Sequence, residues 1–192
     1  MEPKLYYERH LPHWQPQGKL LFITWRLAGS LPAGFWRECR EKSAGKRFVA
    51  FDRALDSGRI GPMWMKNEAV AKLVRDALLH AERQRDLYRM LAFVVMSNHV
   101  HLLIETANPI QKITRLLKGY TARSANVILG RTGQAFWQDE SFDHWVRDSA
   151  EQERIIRYIQ NNPVTAGLVS KAEDWAWSSA ARRGAEAKWK SK

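Results

Sequence analysis

Residues 88–105 read YRMLAFVVMSNHVHLLIE. Two apolar runs, 88–96 and 99–105, flank the polar pair Ser97-Asn98. Runs of that length, rich in β-forming residues and interrupted by a two-residue polar step, predict a β-hairpin with buried strands. Upstream, KLLFITWRLA at 19–28 predicts another strand. Between them, residues 66–84 predict a helix, with Ala69, Leu73, Ala77 and Ala81 spaced by four. Residues 29–65 carry Gly29, Pro32, Gly34, Gly45, Gly58, Gly61 and Pro62, which break them into short pieces.

Downstream, Pro109 opens a second helix that ends near Gly130, with Ile113, Leu117 and Tyr120 on one stripe. Residues 136–146 read as irregular or extended. A third helix is expected over 149–162, started by a Ser149–Gln152 capping box and stopped by Pro163. Residues 164–177 read as a covering segment. Strands and helices alternate without a Gly-rich phosphate loop, so the expected class is α+β with an antiparallel sheet. One domain is expected over residues 1–179, the first 15 forming a leading arm, with a loose basic tail over 180–192.

The chain has 192 residues, 45% hydrophobic and 27% charged, enough apolar content for a real core. Its single cysteine, Cys39, excludes a disulfide framework and a thiolate-clustered zinc site. No run of about 18 apolar residues marks a membrane span, and the opening MEPKLYYERHLPHW lacks the apolar stretch of a signal peptide. A cytoplasmic, reducing setting is therefore expected. Lys plus Arg number 31 against 20 acids, for a net charge of +11. Such an excess points to a polyanionic partner.

The chemistry-bearing residues cluster in three places. Asn98-His99-Val100-His101 puts both histidines on one face of a strand, where two imidazoles can chelate a divalent metal. Two ordinary histidines would read the same way, and a third ligand must come from elsewhere; Cys39 is a poor candidate. On the third helix Tyr158 and Asn162 are i and i+4 neighbours beside the stripe of Ile155, Ile156 and Ile159. Tyr120 falls within its own helix stripe and reads as packing. Finally, residues 106–138 contain no acid but hold Lys112, Arg115, Lys118, Arg123 and Arg131. Lys112, Arg115 and Lys118 step by three along one side of the second helix, next to the histidine strand, and read as phosphate contacts; a solvated helix face is the plainer alternative. Nine tryptophans could stack on unpaired bases, although most belong in a core.

Several motifs in order carry a resemblance. They are MSNHVHLL (96–103), GRTG (130–133) with FWQ (136–138), FDHWVRD (142–148), YIQNNPVTAGLV (158–169) and EDWAWSS (173–179). This set resembles the single-tyrosine HUH transposases, in the branch of REP-associated tyrosine transposases. FDRALD (51–56) and GPMW (61–64) are similar to a subgroup of that branch. The resemblance covers residues 22–179. Ser97 stands where Pro is usual and Thr165 where Lys is frequent; neither removes a catalytic group, and Thr165 puts one possible DNA phosphate contact in doubt.

The resemblance implies a ferredoxin-like (RRM-like) antiparallel sheet with helices packed on its faces. It implies that His99 and His101 are metal ligands for Mg²⁺ or Mn²⁺, that Asn162 is the third ligand, and that Tyr158 is the nucleophile. The implied activity is that of a DNA transposase and endonuclease. It would nick and rejoin single-stranded, hairpin-associated DNA through a 5′-phosphotyrosine intermediate, working as a monomer or homodimer. Lys112, Arg115, Lys118 and Arg123 are the DNA-binding candidates. A non-catalytic hairpin-binding module of the same fold is the alternative. An RRM-like RNA binder ranks lower, because HVHLLIE offers no aromatic residue for stacking.

Overall fold

A computed structural model describes residues 6–8, 12–14, 19–39, 43–58 and 60–181. The strands are β1 (Tyr6–Glu8), β2 (Pro12–Trp14), β3 (Lys19–Arg26), β4 (Arg89–Val95), β5 (His99–Thr106) and β6 (Phe142–Trp145). The helices are α1 (Phe35–Glu38), α2 (Ala44–Asp56), α3 (Glu68–Arg83), α4 (Ile110–Ile128) and α5 (Ser149–Thr165). β1 and β2 form a small hairpin in the expected arm, and the basic tail from residue 182 lies outside the described residues.

The central sheet has the order β4-β5-β3-β6, antiparallel throughout. Numbered from β3, this is the 4-1-3-2 order of a ferredoxin-like sheet, with α3 and α4 as its two crossover helices. The hairpin closes at Ser97-Asn98, where the Met96 amide donates to the His99 carbonyl at 2.9 Å. The β4 edge is capped by the covering segment: the Val95 amide donates to Trp177 O, the Trp175 indole donates to Val95 O, and Val94 bridges Ser178. An edge paired in this way is closed to another chain. No helix among the described residues is long and apolar enough to cross a membrane.

Alternation along β5 divides the molecule into two cores. Val100, Leu102 and Ile104 face α3 and α4, and pack with Val70, Val74, Leu78, Ile113 and Leu117. Leu103 faces the other way, toward Phe22, Phe142 and Ile159 of α5. His99 and His101 share the parity of Leu103, so they lie on the α5 face.

Five expectations need correction. Residues 29–65 are not merely short pieces, because 44–56 form α2. Phe51 and Leu55, one turn apart on it, are buried with Leu31, Phe35 and Cys39, and that burial outweighs the helix cost of Gly45. The buried face of α3 is Val70, Ala71, Val74, Ala77, Leu78 and Ala81, so it takes in Ala77 and Ala81 of the fourfold spacing but leaves Ala69 exposed, being centred one residue round on Val70, Val74 and Leu78. Tyr120 is 51% exposed and not packed. The contact line of α4 follows the i+4 row Ile113, Leu117, Thr121 and Ala125, which drifts away from Tyr120. The cap of α5 sits one residue earlier than Ser149: Asp148 accepts from the Glu151 amide, and Glu151 accepts from the Arg147 amide. Pro163 does not stop α5. It lies in the last turn, so the helix loses one hydrogen bond and continues to Thr165. It ends at Gly167 (φ 69°), where the Gly167 and Leu168 amides close on Val164 and Pro163 carbonyls.

Candidate metal and nucleophile site

Three elements converge on the α5 face of the sheet. β5 presents His99 and His101, both fully buried. Their Nε2 atoms are 3.1 Å apart. Each ring is held from behind at Nδ1, His99 by Asn98 Oδ1 at 2.7 Å and His101 by Thr24 Oγ1 at 2.7 Å. Asn98 is itself fixed by donating to Leu55 O at 2.9 Å. Because Asn98 Oδ1 can only accept, His99 carries its proton on Nδ1 and points an Nε2 lone pair into the site. Burial, reinforced by His101, lowers His99 to about 3, so its imidazole is neutral at physiological pH.

α5 contributes Tyr158 and Asn162 one turn apart. The Tyr158 ring lies against His101 (centroids 5.4 Å apart), Phe22 (6.0 Å) and Phe48 (6.2 Å). Asn162 is 1% exposed. Running past Pro163, the helix carries Asn162 inside its last full turn and not at a frayed end.

α2 contributes two residues that the sequence reading passed over, Asp52 and Asp56. The Tyr158 hydroxyl donates to Asp52 Oδ2, and Asp52 Oδ1 is 3.1 Å from His101 Nε2. Asn162 Nδ2 donates to Asp56 Oδ2 at 3.4 Å, and Asp56 Oδ1 is 3.7 Å from His99 Nε2. The signal was present in FDRALD, two carboxylates at helical i, i+4 spacing, but the flanking glycines hid the helix. Burial works to raise Asp52, yet the imidazole of His101, then His99 and the Tyr158 hydroxyl, hold it at about 2. Burial and the charge of Asp52 push Asp56 up to about 7. Burial, followed by the charge of Asp52 and its hydrogen bond, raises Tyr158 well above an ordinary phenol.

This pocket suits a divalent cation. Ligand atoms of Asp52, His99 and His101 all lie within 4.8 Å of one another. Ligands at right angles on an ion with bonds of about 2.1 Å sit about 3.0 Å apart, and two of the separations here are 3.1 Å. Asp52 Oδ1, Asp56 Oδ1 and Asn162 Oδ1 are buried without a hydrogen-bond donor. Buried oxygens crowded beside two imidazole Nε2 atoms are costly unless a cation satisfies them. Two cavities open onto the site. One of about 540 Å³ is lined by Phe48, Asp52, Arg53 and Tyr158. The other, about 180 Å³, is lined by Asp56, Lys66, Asn98 and His99.

The basic helix is placed differently. α4 packs on the opposite face of the sheet, so Lys112, Arg115, Lys118 and Arg123 are not beside the histidines. Lys112, Arg115 and Arg123 are exposed. Lys118 turns inward and donates to the carbonyls of Gln138 and Asp139, each at 2.6 Å. Burial lowers it to about 8, with Asp139 opposing. Among the described tryptophans, Trp25 and Trp137 are buried, and Trp64 stacks on Phe136 beneath the Arg131 guanidinium at 4.1 Å.

A family model described as "Transposase IS200 like" matches residues 64–162, just over half of the chain. The match includes His99, His101, Tyr158 and Asn162 and leaves α2 outside. The chain is 25% identical over 110 residues to the REP-associated tyrosine transposase of Escherichia coli (strain K12). That similarity covers 56% of this chain and 62% of the curated protein's length. A solved structure of a REP-associated tyrosine transposase bound to a REP hairpin superposes with a TM-score of 0.59. It is 20% identical, covers 93% of this chain and 84% of the other, and is a likeness of fold.

Proposed function

Because the chain belongs to the IS200-like transposase family, we propose that it nicks and rejoins single-stranded, hairpin-associated DNA through a 5′-phosphotyrosine on Tyr158. One observation carries this reading: the only described tyrosine hydroxyl on the α5 face lies in the same buried pocket as two imidazoles that face each other at 3.1 Å. His99, His101 and Asn162 would hold Mg²⁺ or Mn²⁺, which when bound polarises a non-bridging oxygen of the scissile phosphate. Mixed imidazole and oxygen donors favour Mn²⁺ over Mg²⁺.

The protein's own groups then do the following. Asn98 and Thr24 orient the two imidazoles. Phe22 and Phe48 confine the Tyr158 ring, so that its oxygen is held in place before the substrate arrives. The Tyr158 oxygen attacks phosphorus, and the bond to the upstream 3′ oxygen breaks. The tyrosine loses its proton and the departing oxygen gains one as a 3′-hydroxyl, while the 5′-phosphate stays on Tyr158. A later 3′-hydroxyl reverses these bonds and joins a new strand. A single strand could thread the two cavities that flank the site. Lys112, Arg115 and Arg123, on the far face, would meet the phosphates of the folded hairpin and not the scissile phosphate.

The test is incubation of the full chain with hairpin-bearing single strands and Mn²⁺, followed by denaturing electrophoresis. A covalent protein–DNA adduct that maps to Tyr158 is the expected result. An adduct on another residue, or nicking with no adduct, would sink the assignment.

A further inference from the structure

Helix α2 lies outside the family match, yet its Asp52 and Asp56 are two of the six polar groups in the pocket. Its contacts follow a regular scheme. Asp52 and Asp56 are i and i+4 on α2; Tyr158 and Asn162 are i and i+4 on α5. Asp52 takes the Tyr158 hydroxyl and Asp56 takes the Asn162 amide, each pair 106 residues apart. The two helices therefore pass each other in the same direction, in step, over the histidine strand.

We infer that Asp52 is a bridging group: Oδ1 would join His99 and His101 in holding the metal, while Oδ2 holds the nucleophile's hydroxyl beside it. This rests on the reading of the site proposed above. The two oxygens of Asp52 are engaged separately. Oδ2 accepts from Tyr158. Oδ1 has no hydrogen-bond donor, is buried, and lies 3.1 Å from His101 Nε2. Metal capture by Oδ1 thus leaves the Tyr158 hydrogen bond intact. Asn162, 1% exposed with Oδ1 likewise without a donor, faces the same pocket and marks it as a place for a cation and not a chance meeting of acids. Asp56 is a positioning residue: by holding Nδ2 of Asn162 it leaves the amide oxygen free for the ion.

A bridging carboxylate solves a problem that His-X-His alone leaves open. Two imidazoles and an amide fix the metal, and the packing of Phe22 and Phe48 confines the tyrosine ring, but neither links the phenol oxygen to the metal's position. One rigid carboxylate touching both ties the nucleophile's oxygen to the metal's coordinate frame. Misplacing a nucleophile by about 1 Å costs roughly a hundredfold in rate.

The test measures Mn²⁺ binding by electron paramagnetic resonance and adduct formation on a hairpin-bearing strand. It uses the full chain as wild type, Asp52→Asn, Asp52→Glu and His101→Ala. Asp52→Asn is expected to weaken Mn²⁺ binding at least about tenfold. At Mn²⁺ levels that saturate it, the adduct should still form at least about tenfold more slowly, with hairpin affinity unchanged. Asp52→Glu keeps the carboxylate and carries the test if the amide variant does not fold. It should bind Mn²⁺ close to wild type yet remain slow, because the extra methylene moves the acceptor oxygen. Wild-type Mn²⁺ affinity in Asp52→Asn, or full recovery of rate at saturating Mn²⁺, overturns the inference. His101→Ala separates it from the parent reading. If that variant binds Mn²⁺ and forms adduct normally, the metal site itself falls. If it loses both while Asp52→Asn keeps both, only the role of Asp52 falls.

Discussion

Asp52 and Tyr158 meet across 106 residues of chain, the phenol donating to a carboxylate whose second oxygen lies 3.1 Å from His101. The contact joins a helix outside the matched family region to the helix that carries the candidate nucleophile. It also explains why Tyr158 sits where it does: its ring is wedged between Phe22, Phe48 and His101, and its only polar atom is tied to a buried charge.

Tyr158→Phe should abolish both nicking and the covalent adduct while the protein stays folded. The ring volume is kept, and the lost hydrogen bond to a charged group costs about 1.5–3 kcal/mol. Tyr120→Phe should change neither, because Tyr120 is half exposed on the opposite helix layer. Thermal denaturation together with denaturing gels checks both. An adduct formed by Tyr158→Phe would require another nucleophile.

Mn²⁺ should raise the melting temperature of the metal-stripped protein. Three buried oxygens that lack donors gain a partner. At a hundredfold excess over Kd the linkage is about 2.7 kcal/mol, or roughly 5–11 °C for a domain of this size. His99→Ala or His101→Ala should remove most of that shift. A shift that persists in both variants places the ion elsewhere.

Lys118 and its two neighbours should separate cleanly. Lys118→Gln loses ammonium bonds to two carbonyls and should cost about 1.5–3 kcal/mol of stability. Its effect on the salt dependence of hairpin binding should be small. Lys112→Gln with Arg115→Gln should leave stability nearly unchanged and reduce the salt slope by up to about two. Denaturant titrations and binding at several salt concentrations distinguish these outcomes. An unchanged slope in the double variant means that the DNA avoids α4.

Gly61→Ala should destabilise the protein by at least about 2 kcal/mol. Gly61 has φ 80°, and a Cβ there would lie 2.2 Å from the Gly29 carbonyl oxygen and 2.7 Å from Ser30 Cα. Both obstacles are backbone, so no side-chain rotation relieves them. Gly130→Ala, also at positive φ but with open space around it, should cost less. Urea unfolding of the two variants compares them, and equal costs would mean that the close approach is unimportant.

Local pattern was enough for much of this molecule. The apolar runs around Ser97-Asn98 determined the hairpin, because strand alternation is a property of neighbouring residues. The same alternation put His99 and His101 on one face, and helical periodicity paired Tyr158 with Asn162. The motifs in order were specific enough to indicate the family. What the sequence did not determine was everything that depends on which surface meets which. α2 exists because Phe51 and Leu55 find a cluster with Leu31, Phe35 and Cys39, a long-range stabilisation that no local propensity records. Pro163 is tolerated because one missing hydrogen bond in a last turn is cheap next to the burial of Ile159. Lys118 turned inward because two carbonyls from a distant loop converge on it. The partnership of Asp52 with Tyr158 and His101 was decided only when α2, from outside the family region, and α5, from within it, were laid across the same face of the sheet, since a carboxylate's partners are set by the packing of the elements that carry it.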